Sequence, residues 1–346
     1  MVGSRMRNFP SARSAFCYAG VVFVAWILID APAAVRAEPY VMEVATVVPQ
    51  GSPWVAQLEA FKAYVETETN GRVHVNLRLG RLNSRSSARR TAAGSMQAFY
   101  GSVGGLSSVI RELNVLESPF LFETFAEADK ALDDPEVQKQ VRSLLRKRKL
   151  VFGFWAENGF RDYFCRRPIH TPSDLKGVRF RAQEAYAHVV SYRAYGASPV
   201  TTDMASALTS IQNGVVDGFD STPIYAVASG LYQALEEGKR HLVLSRHIYQ
   251  PGLMAYSRAW FAKLPTDIRD VLLDIPRDLV TQGRRRIRSV EQISIENLAK
   301  QGYEVYELTP EERAAFEANQ AGLAAEIAKH LGPGAEALLK AVRDTF

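Results

Sequence analysis

The chain has 346 residues, of which 47% are hydrophobic, 10% aromatic and 23% charged. This composition excludes a disordered chain and provides enough apolar side chains for one or two globular domains. The formal net charge is +5, but the first 37 residues carry four arginines and one aspartate, so the rest of the chain is near +2. Such a small excess gives no indication of nucleic-acid binding.

The first 37 residues have the pattern of a secretory signal peptide. Three arginines precede an apolar run at residues 15–29, and Val35-Arg36-Ala37 offers small residues to a signal peptidase. We therefore predict cleavage near Ala37 and an exported mature protein. The alternative is an uncleaved membrane anchor, although an apolar run of about 15 residues is short for a membrane span.

The mature chain opens with the pattern of a βαβ unit. Residues 40–48 are typical of a buried strand. Ser52 and Pro53 are typical of a helix start, and apolar residues recur at helical spacing from there to Val65. Residues 73–79 alternate apolar and polar side chains, as in a half-exposed strand. We therefore predict two parallel strands joined by a helix.

Two later segments hold residues that a functional site could use. Residues 81–90 carry four arginines, which we interpret as a solvated loop or helix face and not as a binding patch. The segment from Tyr100 to Gly105 reads YGSVGG and resembles a nucleophile elbow, but Tyr100 stands where that motif needs glycine. We discount a catalytic serine. As a loop after a strand, this segment could present backbone N–H groups to a ligand.

The next part of the chain, up to about residue 244, alternates strands and helices, which predicts an α/β architecture with mainly parallel sheets. In the strand at residues 178–182, Arg179 and Arg181 point to the face opposite Phe180. One face of that strand is therefore expected to pack in the core, while the other can line a cleft.

A long helical segment follows at residues 265–300. Pro276 is expected to kink or break this helix, because proline lacks the N–H that an interior helical position donates. Gly283 is a second expected weak point.

Several sequence blocks together resemble one known family. The longest block ends at Arg181, and the others lie on either side of it: PIHTPSDLKGVRFR at 168–181, GASPV at 196–200, IQNGVVDG at 211–218 and PFLF at 119–122. In their order along the chain and in their spacing, these blocks resemble the signature of solute-binding proteins from tripartite ATP-independent periplasmic (TRAP) transporters. The resemblance covers nearly the whole mature chain, so it is far more specific than a single short motif.

The resemblance implies a bilobed periplasmic-binding-protein fold of the α/β class. Such a fold has two mainly parallel sheets, a cleft between the lobes and a long helix that spans both. Lobe I is then expected to comprise residues 38–159 and about 248–285. Lobe II is expected to comprise residues 160–247 and about 286–346.

The same resemblance implies an acidic ligand that is held by arginine. The family's anchoring arginine matches Arg181, and a second ligand-facing arginine matches Arg161. A guanidinium offers parallel donors to a carboxylate, and a closed, poorly hydrated cleft strengthens such a charge-assisted pair. The alternative, in the absence of the flanking blocks, is that both are surface arginines in ordinary ion pairs.

The chain departs from the family pattern where other ligand contacts are expected. An ungapped match places a serine where the family often has glutamate, and residues 219–222 replace the usual asparagine. Aromatic residues surround these positions, although aromatic residues are more often core than pocket. We therefore expect an acid that is bulkier or more apolar than a C4 dicarboxylate. The further predicted ligand contacts are Ser206, Phe219, Asp220, Ser221, Trp155 and Phe160.

The sequence thus predicts a periplasmic solute-binding protein that captures an organic acid and delivers it to the membrane subunits of a transporter. The alternative is the same fold acting as a periplasmic carrier of a bulkier apolar or lipid-like ligand.

The six histidines show no metal-binding spacing and are expected to be neutral core or surface residues, and no dinucleotide fingerprint is present. We therefore expect no cofactor, no metal and no enzymatic activity. Cys165 is the one cysteine after the predicted cleavage, so no internal disulfide is expected.

Overall fold

The computed structural model describes residues 38–80, 83–202 and 204–346. The predicted signal peptide, residues 1–37, lies outside this part of the chain, and its cleavage stays a prediction. Across the described ranges, the structure contains no helix that is both long and apolar enough to cross a membrane.

The described residues form nine strands in one sheet. The strands are β1 (Tyr40–Thr46), β2 (Val73–Leu79), β3 (Ala98–Ser102), β4 (Leu150–Cys165), β5 (Arg179–Ala182), β6 (Ser198–Thr201), β7 (Gly218–Ser221), β8 (His241–Ser257) and β9 (Glu304–Glu307). Their order in the sheet is β2-β1-β3-β8-β4-β7-β5-β6, and β9 pairs with β8.

Strands β4 and β8 join the two halves of the sheet. They are 16 and 17 residues long and pair antiparallel, from Leu150 opposite Ser257 to Cys165 opposite His241. In one half β1 pairs parallel with β2 and β3, and in the other β5 pairs parallel with β6 and β7. The predicted α/β class is confirmed. The two mainly parallel sheets that we expected are joined into one, because β4 and β8 run through both halves.

Helices make up most of the remaining regular structure. They are α1 (Pro53–Glu68), α2 (Ser84–Ala93), α3 (Val103–Leu106), α4 (Phe125–Asp133), α5 (Pro135–Lys147), α6 (Tyr186–Ala194), α7 (Met204–Gln212), α8 (Pro223–Ala228), α9 (Arg258–Phe261), α10 (Thr266–Leu273), α11 (Arg277–Lys300), α12 (Pro310–Asn319), α13 (Leu323–Leu331) and α14 (Pro333–Arg343). A 3₁₀ segment, Arg111–Glu117, lies between α3 and α4.

The first βαβ unit follows its sequence pattern. Ser52 is the residue before α1, Pro53 is its first residue, and the apolar positions up to Val65 are buried. Strands β1 and β2 are parallel and pair from Tyr40 opposite Val73 onward. The predicted unit is therefore confirmed.

The 24-residue helix α11 begins directly after Pro276, and the separate helix α10 precedes it, so the predicted break is confirmed. Gly283 does not interrupt α11, contrary to our expectation. A Cβ at Gly283 would lie 2.1 Å from Nε2 of Gln57 in α1, so the glycine allows α1 and α11 to pack closely. Helix α11 also contacts β9 in the other half of the sheet. It therefore links both halves, as the long helix was expected to do.

The C-terminal helices pack beside the half of the sheet that contains β3. Helices α13 and α14 share one hydrophobic core with α4, α5 and the 3₁₀ segment. We therefore propose that residues 323–346 belong to lobe I, although the family resemblance implies lobe II for them. The other lobe limits stay a prediction.

Asp162 is buried in β4, where the pairing with β8 is irregular. Its Oδ1 accepts the backbone N–H of Arg246 at 2.9 Å. Burial raises the pKa of Asp162 to about 8; the Arg246 N–H opposes this rise, and the charge of Glu291 on α11 adds to it. An unfolded aspartate titrates near pH 3.9, at about its ordinary value.

We expect the free energy of unfolding to fall as the pH rises from 5 to 8.5. Between pH 5 and about 8 the folded state retains the proton of Asp162 and the unfolded state does not, and above pH 8 the folded state loses it too. The contribution of Asp162 to the fall is therefore about 3–4 kcal/mol. Asp162→Asn keeps an acceptor for Arg246 but cannot titrate, so it should remove most of this fall. Urea unfolding of both proteins at the two pH values measures the difference.

The matched control is Asp217→Asn. Pairing with Arg179 lowers the pKa of Asp217, so this carboxyl is ionised in both folded and unfolded states over the tested range. The Asp217→Asn variant should therefore show the same pH dependence of the free energy of unfolding as the wild-type protein. Equal pH dependence in the wild-type protein and Asp162→Asn would contradict the prediction.

Candidate functional site

A cavity of about 280 Å³ lies where the strands of the two halves end. Residues that follow the carboxyl ends of β1, β3, β5, β6 and β7 line it. Open α/β sheets bind ligands at this edge, because loops from several strands converge there. The strand topology therefore marks the cavity as the candidate ligand site.

Arg181 reaches the cavity from β5. Its neighbours Phe180 and Ala182 are buried in the core, and Arg181 lines the cavity with only 2% of its surface exposed. Its Nη2 donates to the carbonyl of Thr202 at 2.8 Å. Its Nε and Nη1 are buried and have no hydrogen-bond partner among the residues that the structure describes. An unpaired buried guanidinium is costly, so these donors point to an anionic ligand.

Arg161 lines the same cavity from β4, but its guanidinium is already paired. Nε donates to Oδ2 of Asp220 at 2.6 Å, and Nη2 donates to the Asp220 carbonyl at 2.6 Å. Nη1 donates to Oε1 of Gln250 at 2.9 Å. The predicted second arginine therefore lies at the site with its charge opposed by an internal carboxylate.

The charges around the cavity are unbalanced. Burial alone would raise the pKa of Asp220, but Arg161 and the nearby rings of His188 and His247 hold it well below its ordinary value, so Asp220 is ionised. Burial and the nearby charge of Arg161 lower the pKa of Arg181. Arg161 and Asp220 offset each other. Among the described residues this leaves Arg181 uncompensated, because it lines the cavity and forms no ion pair with a described carboxylate.

A buried histidine extends this polar network away from the cavity. Nε2 of His188 lies 2.8 Å from Oε2 of Glu117, and Nδ1 lies 3.5 Å from Oδ2 of Asp220. Burial would lower the pKa of His188, but its two carboxylate partners outweigh burial and raise it. Glu117 also accepts the N–H of Gly104 at 2.7 Å. The carboxylate on each side of the ring thus favours the protonated form of His188, against our expectation of neutral histidines.

Five of the other predicted contacts lie away from the cavity wall. Trp155 donates from Nε1 to the carbonyl of Leu132, and Phe160 packs on Phe125. The ring of Phe219 stacks on Phe164 in the core at a centroid distance of 4.7 Å. None of the following five described residues lines the cavity: Trp155, Phe160, Phe219, the buried Ser221, and Ser206, which is exposed on α7. Asp220 acts on the cavity through Arg161.

An apolar wall faces the arginines, and sequence analysis did not predict it. It is formed by Val47, Val48, Trp54, Tyr100 and Tyr225. Trp54 donates from Nε1 to the carbonyl of Glu157 at 2.7 Å, and its ring packs edge-on to Tyr225 at 6.0 Å. The helical periodicity of α1 showed only that Trp54 is buried. It could not show that the side chain also borders a cavity.

Polar side chains complete the lining, and these were also missed. They include Asn158, Gln183, Thr202, Thr222 and Gln250. Nε2 of Gln250 donates to Oε1 of Gln183 at 3.0 Å. These amides and hydroxyls can exchange hydrogen bonds with hydroxyl or keto groups of a ligand.

The glycine-rich segment after β3 forms part of the wall but does not offer the N–H groups that we expected. The N–H of Gly104 donates to Glu117, and the N–H of Gly105 donates to Oγ of Ser102 at 3.1 Å. Oγ of Ser102 also lies 3.4 Å from Nε2 of Gln183, and it forms no hydrogen bond with a general base among the described residues. Among the described residues, no group of three or more His, Cys, Asp or Glu side chains could hold a metal. The arrangement is suited to binding an anion.

Comparisons with known proteins agree with this geometry. The family model for bacterial extracellular solute-binding proteins, family 7, matches residues 44–330. A solute-binding protein of Verminephrobacter eiseniae is 30% identical over 293 residues, which cover 83% of this chain and 84% of that protein.

Two solved structures share the fold. A TRAP periplasmic solute-binding protein from Bordetella bronchiseptica, with density interpreted as pantoate, has a TM-score of 0.80 at 25% identity and covers 89% of this chain and 99% of its own. One from Ralstonia eutropha H16, with bound (S)-2-acetolactate, has a TM-score of 0.78 at 25% identity and covers 88% of this chain and 99% of its own.

The matched region includes both halves of the sheet and the cavity between them. The bilobed α/β fold and the resemblance to TRAP solute-binding proteins are therefore confirmed. The chain belongs to family 7 of the bacterial extracellular solute-binding proteins.

Proposed function

We propose that this protein captures a small organic acid in the cavity and that Arg181 binds its carboxylate. The main observation that supports this proposal is that two buried nitrogens of Arg181, Nε and Nη1, have no hydrogen-bond partner among the described residues. A carboxylate in contact with them would satisfy both donors and neutralise the uncompensated cation. Such a pair gains strength in a site with little water, because charges are poorly screened there.

We propose a monocarboxylic acid, because Arg181 is the one cation in the described cavity lining that has no carboxylate partner among the described residues. Asp220 already opposes Arg161, so a second ligand carboxylate would be buried without a cation of its own. Burying an unpaired charge is strongly unfavourable. A C4 dicarboxylate such as succinate is therefore expected to bind less well than a monocarboxylate of similar size.

The remaining lining suggests the rest of the ligand. Asn158, Thr202 and Gln183 suit a hydroxyl or keto group near the carboxylate, while Trp54 and Tyr225 suit a branched or aromatic body. Pantoate and acetolactate, which are associated with the two structural neighbours, combine these features in one molecule. They support a branched hydroxy or keto acid as the ligand class.

The alternative of a lipid-like ligand is less well supported. The cavity of about 280 Å³ is at the lower end of the range for small-molecule pockets. An apolar ligand without an acid group would also leave the free donors of Arg181 unpaired. Native mass spectrometry of freshly purified protein would favour the lipid carrier if it detected a bound lipid and no small acid.

We also propose that the protein is exported by its N-terminal leader and delivers the acid to the membrane subunits of a TRAP transporter. The family description and the TRAP proteins of the same fold support this role. Detection of the shortened chain in the periplasmic fraction would test the export step. Recovery of the full-length chain in membranes would contradict cleavage.

A panel of acids tests the proposed ligand class. We expect pantoate and 2-hydroxy-3-methylbutanoate to bind at least about tenfold more tightly than succinate, because succinate buries a second charge. Titration calorimetry gives the affinities, and the fluorescence of Trp54 in the cavity wall should change on binding. Tighter binding of succinate, or no binding of any acid, would contradict the proposal.

A further inference from the structure

A second pocket, which the proposed function does not use, opens beside the ligand cavity. It has a volume of about 230 Å³ and lies between α2, the 3₁₀ segment and the start of α6. The two pockets share four lining residues, Arg85, Ser107, Ser108 and Glu184. The second pocket is therefore an adjoining but separate space, and it lacks Arg161 and Arg181.

The second pocket is strongly basic. Arg85, Arg89 and Arg111 line it against one carboxylate, Glu184, which pairs with Arg85. Arg89 and Arg111 have no ion pair with a described acidic residue. Nη2 of Arg111 lies 3.2 Å from Nε2 of His330, which brings no negative charge. Three guanidiniums around one small volume repel one another, and an anion between them would relieve that repulsion.

A buried amide provides an independent indication of a ligand. Asn114 lines the pocket and is only 1% exposed. Its Oδ1 accepts the N–H of Tyr186 at 2.8 Å, which fixes the orientation of the amide. Its Nδ2 then has no partner among the described residues, and neither does Oγ of Ser108, another lining residue. A buried donor without an acceptor costs about 1–3 kcal/mol, so an oxygen-rich anion would satisfy what the protein leaves unpaired.

We propose that this pocket is a second binding site, for a small dianionic oxyanion of the phosphate or sulfate type. Two of its three arginines lack a carboxylate partner, so a double negative charge balances the site better than a single one. Arginine forks and amide or hydroxyl donors are the groups that bind oxyanions. Arg181 does not line the second pocket, so the donors of this site remain in place when Arg181 is replaced.

Titration of inorganic phosphate into the Arg181→Met variant tests the site without interference from the acid cavity. At constant ionic strength we expect saturable binding of one phosphate, with acetate at least tenfold weaker. Arg89→Gln/Arg111→Gln in the same background should weaken phosphate binding at least tenfold. Both arginines are exposed, and circular dichroism verifies that the variant folds.

The matched control is Arg285→Gln/Arg286→Gln, which removes the same charge from exposed positions on α11. This variant should bind phosphate like its parent. The proposal fails if Arg181→Met shows no saturable phosphate binding or if acetate binds as tightly as phosphate. It also fails if the two double variants weaken binding equally, because the effect would then be one of net charge.

Discussion

Replacing Arg181 with methionine is expected to abolish acid binding and to stabilise the protein when no ligand is present. In the ligand-free protein the guanidinium is buried, two of its nitrogens have no partner among the described residues, and it forms no ion pair with a described carboxylate. Methionine fills a similar volume without that cost, so the free energy of unfolding should rise by about 1–3 kcal/mol. The affinity for the acid should fall at least about a hundredfold, because truncating one partner of a buried charge pair costs 2–5 kcal/mol or more.

The two measurements together separate an anchoring residue from a structural one. Urea unfolding of dialysed protein gives the stability, and titration calorimetry gives the affinity. Arg179→Met is the matched control, because Arg179 lies two residues away on the same strand but is exposed and pairs with Asp217. That variant should bind the acid like the wild-type protein. If Arg181→Met lost binding only in proportion to a loss of stability, Arg181 would be structural and the proposed anchor would be wrong.

The contrast between these two arginines shows what sequence analysis could achieve. Alternation along β5 predicted that Arg179 and Arg181 share a face, and the family signature selected Arg181 as the anchor. Arg179 opens β5 and stays in solvent, while Arg181 near its end is buried at the cavity. Period-two alternation identifies the face of a strand, but burial along that face depends on what packs over it.

Strand β7 shows where the same reasoning fails. All four of its residues, Gly218–Ser221, are buried. In a strand that is covered on both faces, alternation cannot tell the side that meets a ligand from the side that meets the core. Phe219 therefore joined the predicted contacts although it stacks within the core, while Asp220, also a predicted contact, pairs with Arg161.

The remaining site residues depend on contacts between distant parts of the chain. Glu117 and His188 are 71 residues apart, and nothing in the local pattern around either one signals the other. The same holds for Gln183 and Gln250, which form a hydrogen bond although they are 67 residues apart in the sequence. Their pairing becomes visible only when the sheet order is known, because β4 and β8 bring the two halves together.

Asp220→Asn is expected to destabilise the protein by about 3–5 kcal/mol. The substitution leaves Arg161 buried without its carboxylate, and breaking a buried pair from one side has a cost of that size. His188 and His247 lose a nearby negative charge as well. Urea unfolding at pH 7 measures the change.

A double-mutant cycle with Arg161→Met identifies the source of this cost. If the pair itself is responsible, the double variant should be at least about 2 kcal/mol more stable than the sum of the two single effects predicts. If the losses of stability in the two single variants were additive in the double variant, Asp220 would stabilise the fold through other partners and not through its pair with Arg161.

The same substitution is also expected to change which acids the cavity accepts. In the wild-type protein Asp220 neutralises Arg161, so Arg181 is the one cation of the described cavity lining that is left for a ligand. In Asp220→Asn both guanidiniums line the cavity without an internal carboxylate. The affinity for succinate relative to that for pantoate should therefore rise at least about tenfold, because each carboxylate of succinate then meets its own cation. An unchanged ratio, measured by calorimetry on folded variant protein, would show that Asp220 does not set the number of acid groups that the site selects.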